Sequence, residues 1–195
     1  MKKSHLVFLL LVSVSSPGIF ASTLFERLSD RVIRPTATAP ANQTVEAAFS
    51  PSEGGEVLVL KVIRSSQRSI RLAAYSFTSP PVVQALMDAK RRGVDVRVLV
   101  DNKGNKGKAN IAALNLLANA GVPTRLIATY TIHHDKYIVS DDRHVQNGSF
   151  NYSKAAAKSN SENVLVVWNN PQLAASFAEH WASRWSQGTE FQSTY

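Results

Sequence analysis

The segment His134-Asp135-Lys136-Tyr137-Ile138-Val139-Ser140-Asp141, followed by Gly148-Ser149-Phe150-Asn151, spaces its polar groups as H-x-K-x4-D-x6-G-S-x-N. Its apolar run predicts a strand over 132–140. Side chains alternate along a strand, so His134 and Lys136 share one face while His133 and Asp135 point the other way. An imidazole and an ammonium held side by side suit an anion. A lysine two residues from a metal ligand would repel the ion, so the pair points to phosphoryl chemistry without a metal or other cofactor. Gly148 lets the backbone come close to a ligand. The Ser149 hydroxyl, the Asn151 amide and a nearby helix N-terminus can hold phosphoryl oxygens. Glu162 stands at the mouth of the next strand. There it can accept a hydrogen bond from Nδ1–H of His134, leaving Nε2 free to attack.

Outward from this segment, strands alternate with helices. Ser50-Pro51-Ser52-Glu53 has the form of a capping box before a helix over 57–66, although Val57, Val59, Val62 and Ile63 also suit a strand. A strand is expected over Ile70–Phe77, then a helix over 80–92 capped by Ser79 and stopped by Gly93. Further strands are expected at 94–100, 123–128, 143–147 and 163–168, with helices at 109–120, from about 151, and at 171–186. Leu173, Phe177, Trp181 and Trp185 fall at i+4 steps on the last helix and are assigned to the core. The pattern predicts an α/β sandwich with a mixed sheet.

The same residues resemble the HKD motif of the phospholipase D superfamily, most closely its small single-motif bacterial endonucleases of the Nuc type. Ala74-Tyr75-Ser76-Phe77-Thr78, Asn160-Ser161-Glu162-Asn163 and the Trp181-x3-Trp185 ending fit as well. The resemblance covers roughly residues 45–195. It implies an α-β-α sandwich around a mixed, largely parallel sheet. It also implies a phosphohistidine mechanism in which one histidine attacks phosphorus and a second protonates the leaving oxygen. On that reading His134 is the nucleophile and Lys136 and Asn151 bind phosphate. Ser149 supports the loop or the substrate, and Glu162 orients His134. Asp141 completes the motif and is grouped with the catalytic residues, a structural role remaining open beside it. The motif occurs once, so the second histidine must come from a second copy in a two-fold homodimer.

Composition narrows the setting. The chain has 195 residues, 44% hydrophobic and 18% charged, enough for one globular domain. Its net charge of +8 favours polyanionic partners, nucleic acid or an anionic membrane surface. Residues 1–21 read as a secretory signal cut near Ala21, with an uncleaved anchor as the alternative. Residues 22–44 read as a flexible segment, and 45–195 as a single catalytic domain. No cysteine is present, which fits a periplasmic or secreted protein. No later segment is long and apolar enough to span a membrane.

The remaining polar residues invite plainer readings. His133 is expected as a strand or interface residue, and His144 and His180 as solvent-facing. A metal held by His133, Asp135, Asp142 and His144 is disfavoured. Asn102-Lys103-Gly104-Asn105-Lys106-Gly107-Lys108 is either a solvated turn or a contact to a nucleic-acid backbone, and Lys154 and Lys158 extend the same positive surface. The leading expectation is a metal-independent, weakly sequence-selective endonuclease acting on DNA, with RNA as a further substrate. A phospholipase D acting on lipid headgroups is the alternative. A non-catalytic nucleic-acid-binding module is the third.

Overall fold

Alternation of valine and leucine with polar residues builds the strands, and 3.6-residue spacing of the same residue types builds the helices that cover them. The computed structural model describes residues 39–195, so the signal expected at 1–21 and all of the 22–44 segment before Ala39 lie outside the described residues. Ala39–Tyr195 forms a compact unit. It contains β1 (Thr44–Ser50), α1 (Gly55–Ser65), β2 (Ser69–Ala74), α2 (Pro80–Arg91), β3 (Asp95–Asp101), α3 (Lys108–Asn119), β4 (Thr124–Ile127) and β5 (Tyr137–Ser140). It continues with β6 (His144–Gly148), α4 (Lys154–Lys158), β7 (Glu162–Trp168), α5 (Pro171–Trp185) and β8 (Thr189–Glu190). The eight strands form one sheet in the order β1-β7-β6-β5-β2-β3-β4-β8.

The sheet is mixed, but not largely parallel as expected. Only the β2–β3 and β3–β4 pairs are parallel; the other five pairs are antiparallel. The reason lies in chain length between strands. Parallel neighbours need a crossover, which α2 and α3 supply, whereas β5 and β6 are joined by three residues that only a hairpin can use. Asp141 and Asp142 both have φ 55°, and the Arg143 amide donates to the Ser140 carbonyl at 3.1 Å. Those are the marks of a tight turn of the primed kind, where aspartate tolerates the left-handed region.

On one face, α1, α2 and α3 bury Val59, Ile63, Leu72, Leu86, Val98 and Leu114 against the sheet. On the other, α5 covers Ala73, Leu99, Tyr137, Val139 and Val145 with Ala174 and Trp181, and Leu173, Phe177 and Trp185 pack at its margin. The aromatic stripe is core, as its spacing predicts. Trp181 also donates Nε1–H to the Leu72 carbonyl at 3.0 Å and stacks on Trp185 at 4.7 Å.

The helix over 80–91 follows its sequence signals, with the Ser79 side chain accepting from the Val82 amide. The expected capping box does not form. The Phe49 amide donates to the Glu53 carbonyl, closing a turn over 50–53, and α1 starts at Gly55 behind Gly54 at φ 86°. Strand β1, which begins inside the expected flexible segment, pairs along its whole length with β7.

Asp141 serves this fold. It is buried, and its carboxylate accepts from the amides of Gln67 (3.0 Å), Arg68 (2.7 Å) and Ser69 (3.0 Å). It therefore ties the β5–β6 turn to the α1–β2 connection. It sits at the far end of β5 from Lys136, ~16 Å away at ~3.3 Å per residue, so its assignment to the catalytic group is corrected to a structural one. Burial alone would raise its pKa, but the amide hydrogen bonds and the Arg68 charge outweigh burial and hold it below the ordinary value. Asp141→Asn removes the charge, and chemical denaturation is expected to show a loss of about 2 kcal/mol. Because the folded pKa lies below the unfolded ~3.9, this stabilisation is complete above the unfolded value and fades as pH falls through the folded one. Wild type and variant should therefore converge in acid; a gap of constant size down to low pH would contradict this role.

Candidate active site

The β5 ladder begins only at Tyr137, so the stretch from Ile132 to Lys136 is a loop leading into the strand and not part of it. The alternation expected of a strand nevertheless survives. His134 and Lys136 line one open recess of about 560 Å³ with Gly148, Ser149, Asn151, Glu162 and Asn163. His133 and Asp135 face away from it and meet each other, with Nδ1 3.4 Å from Oδ2. Every residue expected at the site except Asp141 is therefore brought to one place.

Lys136 is buried, and its Nζ donates to the His134 carbonyl at 2.9 Å. The ammonium also lies 5.4 Å from the centre of the Tyr75 ring, and the His134 ring lies 4.8 Å from the same ring. Tyr75 thus spaces the two groups. Burial lowers the Lys136 pKa, while Glu162 and Asp135 oppose the drop. The His134 ring is exposed and accessible to a ligand.

The other wall is built by β6, β7 and the loop after β6. A Cβ on Gly148 would sit 2.2 Å from the Asn163 carbonyl oxygen, so only glycine permits this approach of the two backbones. Ser149 donates to Glu162 Oε2 at 2.5 Å and accepts from the Asn163 amide at 3.0 Å. Asn160 donates to Glu162 Oε1 at 2.9 Å. Ser149 is thus occupied with holding the loop. Both oxygens of Glu162 are engaged by these neighbours, not by His134 of the same chain. The Asn151 side-chain oxygen is buried and unpaired, a costly state unless a ligand engages that carboxamide. Turned about χ2, the amide presents N–H groups to a phosphoryl oxygen.

Two positioning residues escape the motif. Asp101, buried at the end of β3, accepts from the His133 amide at 2.7 Å and from the Gly104 amide at 2.6 Å. It fixes the backbone next to His134. Buried Asn105 donates to the carbonyls of Tyr75 (2.6 Å) and Asp101 (2.7 Å) and accepts from the Phe77 amide (2.9 Å). The 102–108 loop is therefore an anchored turn beneath Tyr75, with Lys103, Lys106 and Lys108 exposed. The only sequence cue was an aspartate closing a strand before a glycine.

Among the described residues, the other histidines have partners. His133 is buried, and burial, partly opposed by Asp135 and Asp101, lowers its pKa. His180 is not simply solvent-facing: its Nε2 lies 3.0 Å from Asp135 Oδ2. His144 is not either, since its Nδ1 accepts from the Asn169 amide and its ring packs on Trp168. His144 and Asp142 belong to the β5–β6 turn, the opposite end of β5 from His133 and Asp135. Among the described residues, no group of three or more His, Cys, Asp or Glu side chains is placed to share a metal ion.

The arrangement offers an accessible imidazole, a buried ammonium two residues away and an unengaged carboxamide around one open recess. Such a set has the chemistry to supply a nucleophile and two phosphoryl-oxygen ligands. Comparisons with known proteins identify the family. Residues 59–185 match the family described as cardiolipin synthase, PLD-like domain. The structure of Nuc from Salmonella typhimurium, a phospholipase D family member, is 49% identical over 78% of this chain and all of that one, with a TM-score of 0.77. A phospholipase D of Rickettsia bellii is 34% identical over 72% of this chain and 68% of its own length. A mitochondrial cardiolipin hydrolase of Chlamydomonas reinhardtii is 28% identical over 65% of this chain and 55% of its own. With its motif residues gathered in one recess and its sequence matched over most of the domain, the chain belongs to the phospholipase D superfamily of phosphodiester hydrolases.

Proposed function

We propose that this protein is a metal-independent nuclease cutting DNA, and RNA as a second polynucleotide, with little sequence preference, outside the cytoplasm. The observation carrying this reading is that the recess His134 shares with Lys136, Ser149, Asn151 and Glu162 is lined by polar side chains and glycine alone, and that the turn anchored beneath Tyr75 exposes lysines at 103, 106 and 108. Such a surface fits a sugar–phosphate chain and gives an acyl chain nothing to pack against. Nε2 of His134 forms a bond to phosphorus as the bond to the leaving oxygen breaks. Lys136 and Asn151 steady the charge on the non-bridging oxygens. Water then cleaves the phosphorus–nitrogen bond and frees the phosphate end.

The leaving oxygen needs a proton, and the partner subunit's His134 supplies it. A surface suited to that partner lies beside the recess. On the α5 side of the sheet, α5 covers β5 and β6 but leaves β1 and β7 bare. Val45, Phe49 and Leu165 are 53%, 50% and 42% exposed there. Val45 stands opposite Val167, Ala47 opposite Leu165, and Phe49 opposite Asn163, which itself lines the recess. A second copy on this face would hide the apolar side chains and bring two recesses together. In the assembled site Glu162 orients an imidazole through the lone pairs that Ser149 and Asn160 leave free.

The second reading, a phospholipase D, draws on the name of the Rickettsia relative and on a cavity of about 420 Å³ beside His134 that has Phe177 and Tyr137 in its wall. Incubation of the purified protein with plasmid in excess EDTA, and with phosphatidylcholine in parallel, separates the two. Nicking is expected to persist in EDTA without choline release. Complete loss of nicking in EDTA would overturn the metal-free mechanism, and choline release without nicking would replace the nuclease by the lipase.

A further inference from the structure

We propose that Tyr130, Ile132 and Arg184 form a stacking subsite for an unpaired nucleobase next to the scissile phosphate, which makes single-stranded nucleic acid the preferred substrate. This rests on the nuclease reading above and deepens it. The segment from Ala128 to Ile132 belongs to neither β4 nor β5, yet it carries two large apolar side chains on the surface, Tyr130 at 36% and Ile132 at 46% exposure. Core packing does not account for them. The Arg184 guanidinium lies 5.1 Å from the centre of the Tyr130 ring. Ring, guanidinium and Ile132 share a recess of about 160 Å³ that runs directly to His134. The flat platform is therefore continuous with the nucleophile.

Its surroundings select the ligand. Lys103 donates to the Thr131 carbonyl at 3.3 Å, which ties the platform to the lysine-bearing turn. An aromatic face backed by a guanidinium, with a lysine at its edge, is the usual grip on a single strand: bases stack and the backbone follows the charge. In a duplex both faces of each base are already stacked on neighbours, so the platform has nothing to receive. Tyrosine, isoleucine and arginine also suit a membrane surface. One short aliphatic side chain beside one ring is a shallow anchor for lipid, and the recess leads to the reacting group and not away from it.

The test uses single-stranded oligonucleotides with one central phosphodiester among methylphosphonate linkages, the flanking nucleotides carrying bases or being abasic. Wild-type protein is expected to show a KM at least about tenfold lower for the base-bearing substrate. Tyr130→Ala should raise that KM to the abasic value and leave abasic cleavage unchanged, and Tyr130→Phe should restore it. Equal KM values for the two substrates in wild type would overturn the subsite while leaving the nuclease intact. So would a Tyr130→Ala variant, folded by its melting temperature, that still favours bases. If Tyr130→Ala weakens binding to phosphatidylcholine–phosphatidylglycerol vesicles and not the oligonucleotide KM, the patch is a membrane contact and the proposal fails. If wild type cuts neither oligonucleotide but releases choline from phosphatidylcholine, the nuclease reading falls first and the subsite with it.

Discussion

Replacing His134 by asparagine is expected to lower single-turnover cleavage by at least about 10⁴-fold, because the proposed mechanism loses both its nucleophile and, in the paired copy, its general acid. Binding should survive. The ring is exposed and packs beside Tyr75, so its removal opens no core cavity. The bond from Lys136 goes to the His134 main chain, which the variant keeps. Fluorescence anisotropy with labelled DNA should therefore report an affinity within a few fold of wild type. A sharper version mixes subunits. If each site needs both histidines, hybrids with one of them are dead, and scrambling equal amounts of wild type and His134→Asn gives about a quarter of the activity of an all-wild-type sample at the same total concentration. Retention of half would mean that each chain works alone and would refute the two-histidine scheme.

Local signals carried much of this structure. Ser79 and Pro80 start α2 as their chemistry requires, and the α5 stripe packs where i+4 spacing puts it. The recess could also be named in advance, because the motif lists groups that the sheet brings into contact at adjoining strand ends: Lys136 before β5, Gly148 at the end of β6 and Glu162 at the start of β7. What stayed hidden depends on partners distant in sequence. Strand β1 is only partly apolar, and it becomes a strand because β7, more than a hundred residues later, offers a free edge. Asp141 stands in a catalytic-looking motif, yet its carboxylate is spent on amides more than seventy residues earlier. Asp101 looks like an ordinary strand end until the His133 amide arrives from thirty-two residues away. Spacing reveals which groups meet, but not which hydrogen bonds they have already made.

Leu165→Lys is expected to separate the two copies of the proposed dimer and to reduce turnover by at least about 10²-fold at equal subunit concentration, the lower bound for losing one acid–base partner. Leu165 lies on β7 between Ala47 of β1 and Asn147 of β6, so it is central to the bare apolar face. A stable pair of proteins buries about 1,600 Å² and concentrates its affinity at such dry central positions. A lysine there brings two ammonium groups toward each other across a two-fold axis and leaves each without a partner. The isolated fold should tolerate the change, since the leucine is already 42% exposed and strands accept a long polar side chain on an open face. The melting temperature is thus expected to move little, while analytical ultracentrifugation shows a monomer. The residual activity should then rise with the square of protein concentration, because the working species has to be assembled from two chains. A monomeric Leu165→Lys protein with wild-type turnover would place the second proton donor within one chain and remove the need for a partner.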